Sequence, residues 1–345
     1  MKVLVRILAV IGGLVILTCF MALLVVALFR AGKGGVPSKT VLVVDLEQGI
    51  IEDVPDDPIA AFTMKDTPVM RDMVEALEKA GDDRRVVGLV ARVGAAPLGM
   101  AQIQELRNAV KAFRAKKKPT VAYAETFGEF GPGGGSYYLA TAFDEIWLQP
   151  SGDIGLTGVI LEQPFLRGAL DKIGVKPRMD HRYEYKNAMN FYTESKFTQA
   201  HREALNKLMD SQFGQMVAGI AKGRGLSEAN VRKTFNDGPY LGQQAVDAKP
   251  VDGLLYRDEV YDKAREKAGA EANLLYLQKY LERAGRPHEK GQKLALIYGV
   301  GPVQRGTGGF SPISGSAMGS DTVAAAFRSA REDKDVKAII FRVDS

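Results

Sequence analysis

After a glycine-rich segment at residues 31–36, short apolar runs alternate with longer stretches in which apolar residues recur every three or four positions. Short apolar runs bounded by turn residues are typical of buried strands, and the longer spacing is typical of amphipathic helices. This alternation predicts an α/β fold with a covered sheet. The predicted strands are Thr40–Leu46, Val86–Val93, Thr120–Glu125 and Glu145–Leu148, and the predicted helices are Pro68–Gly81, Ala101–Lys117 and Ser136–Phe143.

From Leu161 onward the pattern is mostly helical. Thr198 is placed to cap a long helix over Gln199–Lys222, which ends at the Gly-Arg-Gly run of residues 223–225. Apolar residues recur at helical spacing along it, and we expect this stripe to lie in the core. The stripe consists of Leu205, Leu208, Met209, Val217 and Ile220.

Three later segments have different compositions. A charged helix is predicted over Asp258–Arg283, followed by a linker over residues 284–293, which contain Pro287 and few apolar side chains. Residues 306–320 are rich in glycine and serine, and they are predicted to form a long loop that is mobile or functional.

A unit of one helix and one strand occurs twice. The second copy pairs a helix at Asp321–Arg331 with a strand at Val336–Val343, and each copy follows a similar strand, which in the second copy is Leu294–Tyr298. The repeat stops partway at Ser345, which predicts that the chain is a fragment or that its function depends on further residues. An offset of 250 aligns Leu77 with Phe327, Asp83 with Asp333, Val86 with Val336 and Arg92 with Arg342.

The chain begins with an apolar segment that carries no charge from Ile7 to Phe29. At ~1.5 Å per residue such a segment spans a hydrocarbon layer of ~30 Å, so we predict a transmembrane anchor. A cleaved signal peptide is disfavoured, because the run exceeds a typical apolar region of ~7 to 15 residues and no small-x-small site follows. Flanking charges are balanced, and we place the short N-terminus inside the cell and the bulk outside.

These patterns divide the chain into three parts. Residues 1–36 form a cytoplasmic tail, the anchor and a juncture; residues 37–284 form the first repeat; residues 285–345 form a linker and the truncated start of the second repeat. The length of 345 residues allows about two domains of ~150 residues, and 46% apolar residues suffice for real cores.

The net charge and the cysteine content exclude few classes of function. The net charge is +5, but the densest basic run, Lys116–Lys118, lies at the end of a predicted helix, where cations complement the helix dipole. Nucleic acid is therefore not a predicted partner. The single cysteine, Cys19, lies within the predicted anchor and is interpreted as a small apolar residue.

Most catalytic signatures are missing. His181, His201 and His288 show no metal-ligand spacing, and no Gly-x-Ser-x-Gly elbow occurs, so we predict neither a metal nor another cofactor. Ser136 follows a glycine-rich run and is interpreted as a helix cap. Lys186 stands among aromatic residues, a setting that can strip water from an ammonium and lower its pKa until it serves as a general base.

Several motifs in order resemble the long form of the signal peptide peptidase A (protease IV) family, in its N-terminal half and the start of its C-terminal half. They are Tyr137–Ala140, Asp144–Pro150, Gly155–Gly158, Tyr185–Ala188 and Gly238–Tyr240. The resemblance implies a duplicated crotonase-like fold related to ClpP, and a membrane-anchored serine peptidase that degrades cleaved signal peptides. It further implies apolar extended peptide substrates, a homo-oligomer, and a site on the periplasmic side of the bacterial inner membrane.

The resemblance also implies a Ser-Lys dyad, in which Lys186 is the general base and acid and Tyr185 and Asn187 shape its pocket. The family's serine follows the strand of the second repeat, so Ser345 precedes it and the chain holds no nucleophile. In the first repeat Met100 stands at the equivalent place and is interpreted as core. The chain alone is therefore expected to be inactive. The alternatives are a non-enzymatic membrane scaffold and a crotonase-like acyl-CoA enzyme.

Overall fold

The computed structural model describes residues 34–94, 98–129 and 132–345, together with Leu17 and Met21. The predicted anchor at residues 7–29 thus lies outside the described residues except for those two positions. Within the described ranges, no helix has both the length and the apolar character that crossing a bilayer requires.

A six-stranded sheet forms the centre of the fold, and every neighbouring pair in it is parallel. Its strands are β1 (Thr40–Asp45), β2 (Val86–Arg92), β3 (Thr120–Ala124), β4 (Glu145–Leu148), β7 (Gly253–Leu254) and β8 (Asn273–Tyr276). They lie in the order β7-β4-β3-β2-β1-β8. The remaining strands are β5 (Asp153–Ile154), β6 (Tyr240–Leu241), β9 (Lys293–Val300), β10 (Val303–Gln304), β11 (Gly309–Ser311), β12 (Gly315–Gly319) and β13 (Val336–Asp344).

Helices cover both faces of this sheet, as parallel sheets require. Leu42 and Val44 of β1 face the larger core, whereas Val41 and Val43 face a smaller cluster that contains Val260. The predicted α/β class is therefore confirmed. The helices are α1 (Pro58–Thr63), α2 (Met70–Asp82), α3 (Met100–Ala115), α4 (Gly134–Ala140), α5 (Arg167–Lys172), α6 (Asn190–Thr193), α7 (Gln199–Arg224), α8 (Glu228–Asp237), α9 (Gly242–Asp247), α10 (Arg257–Ala268), α11 (Leu277–Ala284) and α12 (Ser320–Glu332).

The long helix α7 begins where predicted, since the Thr198 side chain accepts from the backbone N–H of His201. It ends two residues later than the predicted Lys222, at Arg224, and Gly225 caps it at φ 65°. Only its second half joins the core. Val217 and Ile220 are at most 1% exposed, but Leu208 is 51% exposed. The prediction that the whole stripe is core is wrong, because a 26-residue helix extends ~39 Å, beyond the surface it packs on.

Two glycines one turn apart let α7 approach α4 closely. A Cβ atom on Gly219 would lie 2.3 Å from the Tyr138 ring, and one on Gly223 would lie 2.1 Å from the Thr141 carbonyl oxygen. Beside them Arg107 of α3 is 1% exposed and donates to Thr141 Oγ1 (2.7 Å) and to the Gly219 carbonyl (3.0 Å). Burial lowers the pKa of Arg107 to about 10. The three helices are thus locked together at this point.

The two repeats agree in backbone detail. In each, two strands pair in parallel and are connected through a helix, α2 between β1 and β2 and α12 between β9 and β13. One residue at the start of the second strand has no register partner, Val87 in the first repeat and Lys337 in the second. The duplication inferred from sequence therefore includes the same register shift.

Two predicted elements are wrong. Residues 258–283 do not form one helix, because α10 ends at Gly269 (φ 95°) and β8 then joins the sheet beside β1. Residues 306–320 are not a simple loop, since β11 and β12 pair there as a hairpin and β12 also pairs with β10. β8 is defined by a partner distant in sequence, which local spacing does not show, and the strands of the hairpin contain glycines, which are depleted in strands.

We expect Gly219→Ala to lower the free energy of unfolding by about 1–3 kcal/mol, because the added methyl group meets the Tyr138 ring. Gly214 is the control in the same helix, since a Cβ there meets nothing within 4 Å. Gly214→Ala should stabilise by about 0.5–1 kcal/mol through helix propensity. Urea unfolding measures both, and equal effects of the two substitutions would contradict this packing.

Asp83→Asn should remove about 2 kcal/mol of stability at neutral pH. Hydrogen bonds from the Arg85 side chain lower the pKa of Asp83 to about 2. Burial opposes this shift, and hydrogen bonds from the Arg85 backbone and from Tyr280 add to it. A depressed carboxyl pKa stabilises the fold above its ordinary value of 3.8, and that contribution is lost as pH falls towards 2. Urea unfolding of the variant and the wild type should therefore converge in acid.

Asp333 is the matched control. Its side chain caps the equivalent turn, because it accepts from the backbone N–H of Asp335 at 2.9 Å. In the first repeat the Asp83 side chain accepts from the backbone N–H of Arg85 at the same distance. Its side-chain partner is the exposed Lys293. Asp333→Asn should therefore have a smaller effect, and an effect as large as that of Asp83→Asn would contradict the role given to burial and Arg85.

Candidate active site

The loop between α5 and α6 carries all three predicted site residues. The backbone N–H of Lys186 donates to the Tyr183 carbonyl (3.3 Å), which closes a turn over residues 183–186. Tyr183 has φ 63°, a left-handed conformation that non-glycine residues rarely adopt and that is often retained at functional positions. We call residues 181–189 the lysine loop.

Tyr185 is directed towards α7. Its hydroxyl donates to Glu203 Oε2 (2.9 Å), and the same carboxylate accepts from Lys207 Nζ (2.8 Å). The hydrogen bond to Glu203 raises the pKa of Tyr185, and the bonds from Lys207 and then Tyr185 lower the pKa of Glu203. Tyr185 thus ties the lysine loop to the first turns of α7.

The described residues do not bury the Lys186 side chain, which is exposed. Its aromatic neighbours are also exposed, Tyr183 by 73% and Tyr185 by 51%. The shielding of the ammonium that we expected from these aromatic residues is therefore not found within the described chain. Asn187 is half-buried, and its carbonyl accepts from the backbone N–H of Asn190 (3.0 Å).

A cavity of about 460 Å³ lies between the lysine loop and the start of α7. Both polar and apolar atoms line it, and Tyr185 contributes to it. Its lining residues are His181, Glu184, Tyr185, Asn190, Glu194, Thr198, Gln199, Ala200 and Glu203.

A second polar cluster lies where the parallel strands end. Arg92, at the end of β2, contacts Asp45 (3.5 Å), Glu47 (2.5 Å) and Glu125 (2.9 Å). Burial raises the pKa of Glu47, and it outweighs the opposing effect of Arg92. In open α/β sheets this carboxyl end of the strands is where ligands usually bind.

Arg342 holds the equivalent position in the second repeat, but its contacts reach the first repeat. Its guanidinium donates to Glu52, which is 5% exposed, and to Glu105 of α3 (2.7 and 3.1 Å). Glu52 also accepts from Gln102 (2.8 Å). Burial raises the pKa of Glu52, but the hydrogen bonds from Arg342 and Gln102 hold it below its ordinary value.

Ser136 and Met100, which the sequence analysis also considered, both lie in helices and have structural roles. The cap of α4 is Gly133 and not Ser136, because a Cβ on Gly133 would lie 1.4 Å from the Phe127 carbonyl oxygen and only glycine fits where the helix begins. Met100 is the first residue of α3 and packs half-buried against the larger core. Among the residues that the structure describes, no three His, Cys, Asp or Glu side chains group as a metal site.

Residues 112–271 match peptidase family S49, a range that includes the lysine loop and α7. The chain is 27% identical to the chloroplastic serine protease SPPA of Arabidopsis thaliana over 278 residues, which cover 79% of this chain and 40% of that protein. It is 28% identical to Protease 4 of Salmonella typhi over 289 residues, which cover 79% of this chain and 45% of that protein. The chain is SppA-like.

This SppA-like chain spans 40 to 46% of the length of the relatives it matches first. Among solved structures, it is similar to a mutant of the 1510-N membrane-bound stomatin-specific protease, with 12% identity, a TM-score of 0.39, and coverage of 69% of this chain and 97% of that one. An enoyl-CoA hydratase/isomerase family protein from Silicibacter pomeroyi matches with 16% identity, a TM-score of 0.32, and coverage of 68% and 81%. At these TM-scores the likeness carries no argument about function.

Sequence reasoning missed the carboxylates that pair with the two arginines, and it missed Glu203 beside the lysine loop. The alignment of Arg92 with Arg342 was available as a signal, because it places both arginines at the ends of equivalent strands. The carboxylates carried no such signal, since Glu52 and Glu105 lie more than 230 positions from Arg342.

Arg342→Met should lower the free energy of unfolding by about 3 kcal/mol, because it leaves the buried Glu52 carboxylate without its cation. In the variant, burial of the Glu52 carboxylate is no longer opposed by Arg342, so we expect the pKa of Glu52 to rise. Part of the lost stability should therefore return as pH falls and this carboxyl group is protonated. Arg331→Met is the control, because its exposed contact with Glu332 is 3.8 Å long. Urea unfolding at neutral and acid pH checks this, and equal losses in the two variants would contradict it.

Proposed function

We propose that this chain belongs to a membrane-anchored serine endopeptidase that degrades cleaved signal peptides with a Ser-Lys dyad. Lys186 is its general base and acid, and Tyr185 and Asn187 shape the pocket. The observation that carries the proposal is the S49 match, which includes Lys186 on a loop with a left-handed turn residue. The SPPA and Protease 4 names of the relatives support the peptidase class.

The nucleophilic serine in this proposal is supplied from outside residues 1–345. The relatives are more than twice as long as the matched segments, which leaves room for such a residue. The exposed faces of the second repeat also support it. Ile340 and Val343 of β13 are 51% and 54% exposed, whereas β2 in the first repeat is almost entirely buried. Helices packed on the faces of β13 would bury these apolar residues.

The chemistry assigned to Lys186 requires a neutral amine. Its Nζ takes the proton from the serine hydroxyl as the serine oxygen attacks the peptide carbonyl, and it returns the proton to the leaving amine as the peptide bond breaks. Water then hydrolyses the acyl-enzyme by the same proton transfers. Because Lys186 is exposed in the described chain, its desolvation is assigned to the serine-bearing part and to the bound peptide.

The substrate class and cellular setting belong to the same proposal. An apolar extended peptide is the proposed substrate, and Val159, Ile160 and Leu161, all at least 38% exposed, lie on the segment that leads to the lysine loop. We place the site on the periplasmic side of the bacterial inner membrane, held by the anchor at residues 7–29, in a homo-oligomer. No cofactor takes part in these steps.

Lys186→Ala in the full-length protein should reduce labelling by a fluorophosphonate probe by at least about 1,000-fold, because the serine loses its base. Lys172→Ala is the control, since Lys172 is an exposed lysine of the same segment, and it should label normally. In cells Lys186→Ala should cause signal-peptide remnants to accumulate. Undiminished labelling of Lys186→Ala would overturn its role, and labelling of residues 1–345 alone would overturn the external serine.

A further inference from the structure

We infer that Asn190 and His201 form a positioning pair that holds the lysine loop on α7, and that the orientation of Lys186 depends on their contact. This inference rests on the proposed function of Lys186. In the proposed reaction neither residue contacts the reacting atoms, and both act by holding the lysine loop in place.

Burial first sets these two residues apart. Most of the segment between residues 157 and 198 is exposed, including Tyr183 (73%) and Ile173 (71%). Within and beside it, Asn190 is 4% exposed and His201 is 2% exposed. A buried polar side chain destabilises a fold unless it is hydrogen-bonded, so the pair is expected to have a defined geometry.

The hydrogen bonds define which imidazole atom faces Asn190. Asn190 Nδ2 lies 3.4 Å from His201 Nδ1 and 3.4 Å from Thr198 Oγ1. An amide nitrogen donates and does not accept, so His201 Nδ1 is the acceptor in this contact. The Thr198 hydroxyl also caps α7, so the pair is built into the first turn of that helix.

Aromatic rings fix the imidazole in place. The Phe197 ring lies edge to face against His201 at 5.0 Å, and the Phe165 ring does so at 6.3 Å. The two phenylalanines pack against each other at 5.0 Å. Such pairs contribute about 0.5–1.5 kcal/mol each, so the His201 ring has little freedom to follow a moving loop.

Backbone hydrogen bonds connect this pair to Lys186. The Asn190 N–H donates to the carbonyl of Asn187, the residue that follows Lys186, and the Lys186 N–H donates to Tyr183. On the outer side Tyr185 bonds Glu203, which lies two positions after His201 on the same helix. The lysine loop is therefore held from inside and outside by one turn of α7.

Two substitutions distinguish the hydrogen bond between Asn190 and His201 from the packing of the His201 ring. His201→Phe keeps a ring between Phe165 and Phe197 but removes the acceptor, and Asn190→Ala removes the donor. The control is Phe213→Leu, because Phe213 packs on Phe235 at the same 5.0 Å further along α7, away from the loop. His201→Gln tests rescue, since its amide oxygen can accept from Asn190.

The first readout is amide hydrogen exchange of residues 183–190 in the 345-residue protein. Both variants should speed exchange there about fivefold, the equivalent of one lost hydrogen bond, and the double variant should add little because it breaks the same contact. Phe213→Leu should leave the loop unchanged. Unchanged loop exchange in both variants, or faster exchange along the whole of α7, would overturn the inference.

The second readout is hydrolysis of a quenched fluorescent peptide of apolar residues by the full-length protein. Misplacement of the base should lower kcat about 10- to 100-fold and change KM less than about twofold, and His201→Gln should recover most of kcat. An unchanged kcat in an enzyme that Lys186→Ala inactivates would overturn the positioning role. Full activity of Lys186→Ala would instead overturn the proposed function, while the exchange data still decide whether the pair holds the loop.

Discussion

The close packing of α7 against α4 is the contact on which the placement of the lysine loop depends. Gly219 and Gly223 remove the side chains that would separate the two helices, and Arg107 joins α3 to the same point. A glycine inside a helix costs about 1 kcal/mol, and close approach offsets that loss. Because the second half of α7 is fixed in this way, its first half extends from the core as a rigid support for Lys186.

The two repeats share a pair of parallel strands connected through a helix, but their equivalent arginines have different electrostatic roles. Arg92 and Arg342 occupy equivalent strand ends, yet Arg92 gathers carboxylates within its own repeat and Arg342 reaches Glu52 and Glu105 in the other. The second arrangement holds the end of β13 against α3. In the proposed peptidase the serine follows β13, so this ion cluster would set the position from which the serine-bearing segment begins.

The first repeat was predictable because each of its elements carries a local signal. β1 to β4 are short apolar runs, and α7 is bounded by Thr198 and Gly225, whose capping chemistry is local. The failures occurred where a contact outside the element itself decides the structure. β8 forms because β1 offers a free edge, and α4 begins at Gly133 because the Phe127 carbonyl leaves no room for a Cβ.

The sequence by itself determined the α/β class, the repeat, the resemblance to the peptidase family and the identity of Lys186 as the candidate base. These depend on residue type and spacing along the chain. Only the tertiary structure decided that Lys186 is exposed, that Tyr185 bonds Glu203, and that Asn190 meets His201. Burial and hydrogen bonding depend on which side chains the fold brings together. Each of these two contacts joins α7 to a residue outside it, where the spacing along one helix gives no signal.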